Sequence, residues 1–134
     1  MKFPYINIAK GTYRPVLPLT VCYKKGKPIK YFALVDSGAD KTYLASELAP
    51  VLGISDLTIG RKESVSGING LSDDVYFHSI TINIWGWDFD IETGFMGGSN
   101  LSSIGYGILG QIGLFDNCTV KFSFKKLEVE ITTA

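Results

Sequence analysis

Apolar and polar residues alternate along much of the chain with the two-residue period of β-strands. The clearest stretch is residues 76–85. Its even-numbered positions, from Tyr76 to Ile84, are expected on one face, and its odd-numbered positions, from Phe77 to Trp85, on the other. The pattern predicts a long strand with one face in the core.

Two pairs of shorter strands are predicted as hairpins. Residues 16–23 and 29–35 are rich in β-forming side chains and flank the turn-forming segment Lys24–Pro28. Residues 120–124 and 127–131 flank a Lys-Lys pair in the same way. Each pair therefore predicts two neighbouring antiparallel strands.

Helical signals are confined to residues 45–52, which Ser46, Pro50 and Gly53 bracket. Residues 94–107 carry five glycines without periodicity and are predicted to form a long loop. Many short strands separated by turns predict an all-β barrel or sandwich with one short helix. We see no repeat and no internal boundary, so the 134 residues are expected to form a single domain.

Composition narrows the functional classes. The chain has 13 Lys and Arg, 13 Asp and Glu, and 46% hydrophobic residues, so it can bury a core and has no net charge. A neutral chain is not expected to bind nucleic acid. Its apolar runs are too short for a membrane span or a signal peptide, and two cysteines are too few for a disulfide scaffold. A cytoplasmic protein is therefore expected.

The candidate chemistry lies where a strongly apolar segment runs directly into Asp36, Ser37 and Gly38. A carboxylate at the end of a buried strand is costly unless it is hydrogen-bonded or shares a proton. Such a cost is typical of functional acids, although an Asp that merely ends a strand in a turn is common. Gly38 would allow a sharp turn at this point.

The segment Ala-Leu-Val-Asp-Ser-Gly-Ala-Asp-Lys-Thr, residues 33–42, resembles the active-site segment of the retropepsin family, the half-size aspartic proteases. Residues 66–70, Ser-Gly-Ile-Asn-Gly, resemble the tip of that family's flap. Residues 108–110, Ile-Leu-Gly, resemble its late apolar motif beside the catalytic loop. The resemblance begins near residue 16 and implies a closed acid-protease barrel, with residues 1–15 as an N-terminal extension.

The resemblance also implies roles for individual residues. Asp36 would be the catalytic acid and base, with Ser37 and Gly38 supporting the site. A peptide substrate would lie extended in the cleft and pair through its main chain. The residues that would contact it or close over it are Ala39, Asp40, Gly67, Ile68 and Gly70.

Counting the motif predicts the assembly. Hydrolysis of this kind uses two carboxyl groups that share one proton and flank one water. Asp-Ser-Gly occurs once in the chain, at residues 36–38. The second carboxylate must then come from a second copy, across a two-fold axis. An active homodimer is therefore expected.

The chain departs from the viral pattern in several places, among them residue 111 and the N-terminal segment. Viral members commonly carry an Arg after the late Gly, paired with the Asp that matches Asp40, and this chain has Gln111 there. Asp40 is thus expected to lack that ion pair. The N-terminal 15 residues have no viral counterpart, which leaves open whether two copies would join through interleaved termini.

Other motifs are weaker. Residues 105–110 match G-x-G-x-x-G, but the strand and helix that a dinucleotide site needs are not predicted around them. Asp88, Asp90 and Glu92 are expected on a solvated strand face, and His78 stands without a metal-binding cluster. No cofactor or metal is expected. The alternative to a protease is a non-catalytic peptide-binding or scaffold domain with the same fold.

Overall fold

The computed structural model of the chain describes residues 1–66, 72–96 and 105–133. These residues form twelve strands, one short α-helix and a 3-10 turn. In chain order the elements are β1 (Lys2–Pro4), β2 (Ile6–Ala9), β3 (Thr12–Arg14), β4 (Val16–Cys22), β5 (Ile29–Val35), β6 (Thr42–Ala45), α1 (Leu48–Leu52), the 3-10 turn (Leu57–Ile59), β7 (Arg61–Ser66), β8 (Ser72–Ile84), β9 (Trp87–Met96), β10 (Gly107–Leu109), β11 (Cys118–Ser123) and β12 (Glu128–Thr133).

Six strands close into a barrel. Neighbouring strands follow the order β4, β5, β10, β6, β9 and β8. The ring closes where β8 pairs with β4, for example through Val21 and Ile82. β7 extends the sheet beyond β8. The predicted all-β fold, a closed barrel with one short helix, is confirmed.

The alternation predicted for residues 76–85 places the barrel core. Ile80, Ile82 and Ile84 are buried, while Ser79 on the opposite face is exposed. One detail of this prediction is wrong, because β8 ends at Ile84 and Trp85 lies in the turn with φ of 51° and 74% exposure. Because the chain reverses there, the strand period no longer governs which side that indole faces.

Both predicted hairpins are present. β4 pairs with β5 in antiparallel register from Val16↔Leu34 to Val21↔Ile29. β11 pairs with β12 from Cys118↔Thr133 to Ser123↔Glu128. Turn chemistry between two apolar runs was therefore sufficient to predict these pairings.

Two predicted boundaries are wrong. The helix starts at Leu48, because Ala45 ends β6 and pairs with Met96 of β9; barrel pairing outweighs local propensity there. The predicted loop 94–107 is shorter, since Gly94 lies in β9 and Gly107 begins β10. A methyl group on Gly94 would lie 2.7 Å from Val75 and 2.9 Å from Tyr43, so close packing explains this strand glycine.

The first strand packs onto the C-terminal hairpin, whereas β2 and β3 pair only with each other among the described residues. β1 pairs antiparallel with β12, and Phe3 on β1 is buried in the core. The Ile131 amide donates to the Met1 carbonyl oxygen at 2.8 Å. β12 is thus the middle strand of a three-stranded sheet with β1 on one side and β11 on the other.

The α-helix of the described residues is five residues long, so no helix in that part of the chain could cross a lipid bilayer.

Candidate active site

Asp36 lies where a buried strand leaves the barrel. β5 ends at Val35, which pairs in parallel with Leu109 of β10. Both side chains are buried, and the Asp36 amide donates to the Leu109 carbonyl oxygen at 3.0 Å. The Asp36 side chain is half-buried. The barrel therefore fixes the backbone from which this carboxylate extends.

The turn after β5 supports the carboxylate directly. The Gly38 amide donates to Asp36 Oδ1 at 2.9 Å, and the Ala39 amide donates to the Asp36 carbonyl oxygen at 3.2 Å. A Cβ on Gly38 would lie 3.3 Å from Oδ1, closer than ordinary contact. A glycine at this position lets the turn close tightly around one carboxylate oxygen.

We call the turn after β5, residues 36–41, the Asp36 loop. A second segment, residues 110–112, lies against it. The Gln111 amide donates to the Ala39 carbonyl oxygen at 2.8 Å, and the Ile112 amide donates to that of Asp40 at 2.9 Å. A methyl group on Gly110 would lie only 2.0 Å from the Lys41 carbonyl oxygen. Residues 110–112 and the Asp36 loop therefore meet backbone to backbone, as expected for the late Ile-Leu-Gly motif.

Thr42 joins the same two segments from inside. Its side chain is fully buried, and its hydroxyl donates to the Ile112 carbonyl oxygen at 2.9 Å while accepting from the Gly110 amide at 3.1 Å. No role for this threonine was predicted from the sequence. Its position in the Asp-Lys-Thr of residues 40–42 could have indicated one, because a hydroxyl that is buried beside the motif needs a hydrogen-bond partner.

The side chain of Gln111 turns to Ser37 and not to Asp40. Gln111 Nε2 donates to the Ser37 carbonyl oxygen at 2.9 Å. Asp40 is exposed, and no ion pair joins it to another residue of the described ranges. Ser37 is exposed as well, next to a concavity of about 500 Å³ that Gln111 and Ile112 also line.

The remaining substrate-contact predictions fall near β7 and β8. These strands pair antiparallel up to Ser66↔Ser72. Gly67, Ile68 and Gly70 lie outside the described residues, so their placement over a cleft stays a prediction.

An ion-pair network links the Asp36 loop to β7. Lys41 Nζ lies 2.8 Å from Glu63 Oε2, and Arg61 bridges Glu63 and Glu92. Two hydrogen bonds hold the pKa of the Glu63 carboxyl below its usual range: the larger effect comes from Lys41 and the smaller from Arg61. Both cations also lie over the Phe77 ring. The network thus anchors the end of the loop to the strand that runs toward residues 67–71.

The other candidate residues have local partners. Asp88 accepts a hydrogen bond from Asn83 at 2.7 Å, and Asp90 accepts one from Thr81 at 2.6 Å. His78 is buried, with Nε2 at 2.7 Å from the Leu57 carbonyl oxygen. Within residues 1–66, 72–96 and 105–133, no cluster of three potential metal ligands is found.

Comparison of the whole chain with solved structures finds three informative neighbours. A retropepsin-like aspartic protease from Rickettsia conorii superposes with a TM-score of 0.67 and 19% identity, over 97% of this chain and 98% of that one. A retroviral protease-like domain of Ddi1 from Leishmania major gives 0.56 and 13%, over 88% and 94%. EIAV protease complexed with the inhibitor HBY-793 gives 0.54 and 20%, over 79% and 86%.

In comparisons by sequence, no protein-family model and no curated protein matches the chain. The structural similarity extends over most of each neighbour, but at 13–20% identity it is evidence for a shared fold alone. This chain has the fold of the retropepsin-like aspartic proteases.

Proposed function

We propose that this chain is an aspartic endopeptidase whose active site forms when two copies bring their Asp36 carboxylates together. One observation carries the proposal. In a retropepsin-like fold, the Asp-Ser-Gly of residues 36–38 occupies the turn where β5 and β10 end side by side, with one Asp36 oxygen held by the Gly38 amide.

Such a carboxylate pair would hydrolyse peptide bonds with an activated water. One Asp36, ionised, takes a proton from the water as its oxygen attacks the peptide carbonyl carbon. The other Asp36, protonated, gives its proton to the carbonyl oxygen. The tetrahedral intermediate then collapses and the C–N bond breaks: the Asp36 that took the proton from water gives it to the leaving nitrogen, and the other Asp36 takes a hydroxyl proton from the intermediate, which restores the starting pair.

The chemistry requires the second copy. The sequence holds a single Asp-Ser-Gly, so one chain supplies half of the acid–base pair. Ser37, next to Asp36, and Ile112, whose amide is bonded to the Asp40 carbonyl oxygen, are exposed in the isolated chain and are free to meet their counterparts. A two-fold axis between the two Asp36 loops would bring the second carboxylate beside the first and would place these exposed residues against their counterparts.

The proposed substrate is an extended peptide. Ala39 and Asp40 lie in the same loop as Asp36, after Ser37 and Gly38, and their proposed contact with the substrate rests on the resemblance of residues 33–42 to the retropepsin active-site segment. Gly67, Ile68 and Gly70 would close over the peptide from the β7–β8 side, excluding bulk water. Their proposed role rests on the resemblance of residues 66–70 to a flap tip.

Replacing Asp36 with Asn tests the proposal. We expect Asp36→Asn to lose cleavage of extended apolar peptides at mildly acidic pH, because an amide neither takes nor gives the proton. Asp90→Asn on β9 is the matched control, since Asp90 is hydrogen-bonded to Thr81 in the neighbouring strand. That control should keep its activity.

The assembly is measured in the same samples by sedimentation. We expect a mass near twice 14.7 kDa in active preparations. Undiminished cleavage by Asp36→Asn, or full activity in a strict monomer, would contradict the proposal.

The alternative is a non-catalytic peptide-binding domain. It is favoured by the single Asp-Ser-Gly, which leaves an isolated chain with half of the acid–base pair. If the native protein binds extended peptides without cleaving them at any concentration, the alternative replaces the protease.

A further inference from the structure

The Ser37–Gly38 peptide unit is hydrogen-bonded at both ends. Its carbonyl oxygen, on Ser37, accepts from Gln111 Nε2 at 2.9 Å. Its N–H, on Gly38, donates to Asp36 Oδ1 at 2.9 Å. A continuous chain of two hydrogen bonds therefore runs from the Gln111 amide through one peptide plane to the Asp36 carboxylate.

The two bonds reinforce each other. A donor at a peptide oxygen withdraws electron density from the peptide, which makes its N–H a stronger donor. The same contact fixes the rotation of the peptide plane, and this rotation decides whether the Gly38 N–H points at Asp36 Oδ1. Losing the Gln111 donor should thus weaken the bond to Asp36 and loosen the carboxylate.

The backbone around Gln111 aims its side chain at Ser37. Residues 110–112 lie against the Asp36 loop because Gly110 lacks a side chain, and the Gln111 amide is itself bonded to Ala39. Gln111 is exposed, so its side chain contributes little to the core. Among the described residues, the hydrogen-bond partner of this side chain is the Ser37 carbonyl oxygen.

We propose that Gln111 is a positioning residue, which orients the Asp36 carboxylate through the Ser37–Gly38 peptide. This inference rests on the proposed function and deepens it, because it assigns a role to the position where the viral pattern has Arg. Gln111 does not touch the reacting atoms; it acts through the peptide unit that does hold Asp36.

Three forms of the protein test the proposal: the native chain, Gln111→Met and Gln111→Glu. Methionine keeps the length of the side chain without a donor, and glutamate places an acceptor against the Ser37 carbonyl oxygen. We expect kcat to fall about threefold to tenfold in Gln111→Met, which corresponds to the loss of one hydrogen bond, and further in Gln111→Glu. KM should change by less than about twofold, since Gln111 binds no substrate.

Asn117→Leu is the matched control. Asn117 Nδ2 also donates to a main-chain carbonyl oxygen, that of Gly113, at 3.1 Å, but this bond does not lead to Asp36. We expect Asn117→Leu to lower the thermal unfolding midpoint at least as much as Gln111→Met while keeping kcat. A kcat that follows stability across all three variants would overturn the proposal.

An NMR measurement separates this inference from the proposed function. The amide proton of Gly38 should move upfield in Gln111→Met, because its hydrogen bond to Asp36 weakens, and should stay in place in Asn117→Leu. A native protein without peptidase activity defeats the proposed function, whereas the Gly38 shift still decides the hydrogen-bond relay. An unmoved Gly38 resonance in Gln111→Met refutes the relay even if the native protein is active.

Discussion

Replacing Gly110 with Ala tests whether close backbone contact holds the candidate site together. A methyl group there would lie 2.0 Å from the Lys41 carbonyl oxygen and 2.7 Å from that of Ala39. Ordinary van der Waals contact begins at 3.4 Å, so relieving the overlap with Lys41 requires the two segments to separate by about 1.4 Å. Backbone atoms on both sides leave no flexible side chain that could yield instead.

The cost follows from the hydrogen bonds that this separation would break. Three bonds of 2.8–2.9 Å join Gln111 and Ile112 to Ala39, Asp40 and Ser37. Lengthened by that amount, none remains within bonding distance. At about 1 kcal/mol each, their loss destabilises the fold by about 3 kcal/mol. In a chain of this size the unfolding midpoint should fall by roughly 10 °C.

Thermal unfolding followed by circular dichroism measures this loss. All samples are compared at one protein concentration, because association shifts the midpoint. Gly53→Ala is the control: Gly53 ends α1 at φ of 96°, and nothing lies within 4 Å of its added methyl group. The free energy of unfolding of that variant should fall only by the cost of placing alanine in a left-handed conformation, about 1–2 kcal/mol. If Gly110→Ala is no less stable than Gly53→Ala, the steric reasoning is refuted.

Two further predictions concern titratable groups. Burial, with a smaller effect from Asp116, raises the pKa of the Cys118 thiol to about 11, so that about one Cys118 in a thousand is a thiolate at pH 8. Iodoacetamide should therefore modify the more accessible Cys22 first. Equal labelling rates of the two cysteines, measured by mass spectrometry, would contradict this. Because the folded pKa of Glu63 is lowered, its contribution to folding is complete above its ordinary pKa and is lost as pH falls through the folded value. The unfolding midpoint of the native protein should thus fall more steeply below about pH 4 than that of Glu63→Gln, and parallel curves would exclude the effect.

The barrel could be predicted from sequence where one local signal decided each element. Strand alternation placed Ile80 and Ile82 in the core, and turn residues between apolar runs predicted the two hairpins. Ala45 was assigned to the helix because its pairing partner, Met96, is 51 positions away and no local pattern reports such a contact. Long-range pairing decided that boundary.

The candidate site divides in the same way. Asp36 could be found because its apolar approach and the following Ser-Gly are local features of the sequence. The contact of Gln111 with Ser37 spans 74 positions, and the bonds of Thr42 to Gly110 and Ile112 span about 70. From the sequence alone, Gln111 indicated only that Asp40 would lack an ion pair with an arginine. Its actual partner depends on how two distant segments cross.

The pairing of β1 with β12 has a consequence for control of the proposed enzyme. With β1 on one edge of β12 and β11 on the other, both edges of that strand are already occupied within one chain, so neither is open for exchange with a neighbour. Under the proposed function, two copies would instead meet at their Asp36 loops, and the extent of their association would depend on protein concentration. Below the dissociation constant, the population of complete catalysts would grow with the square of protein abundance, so that local crowding of the polypeptide could itself switch proteolysis on.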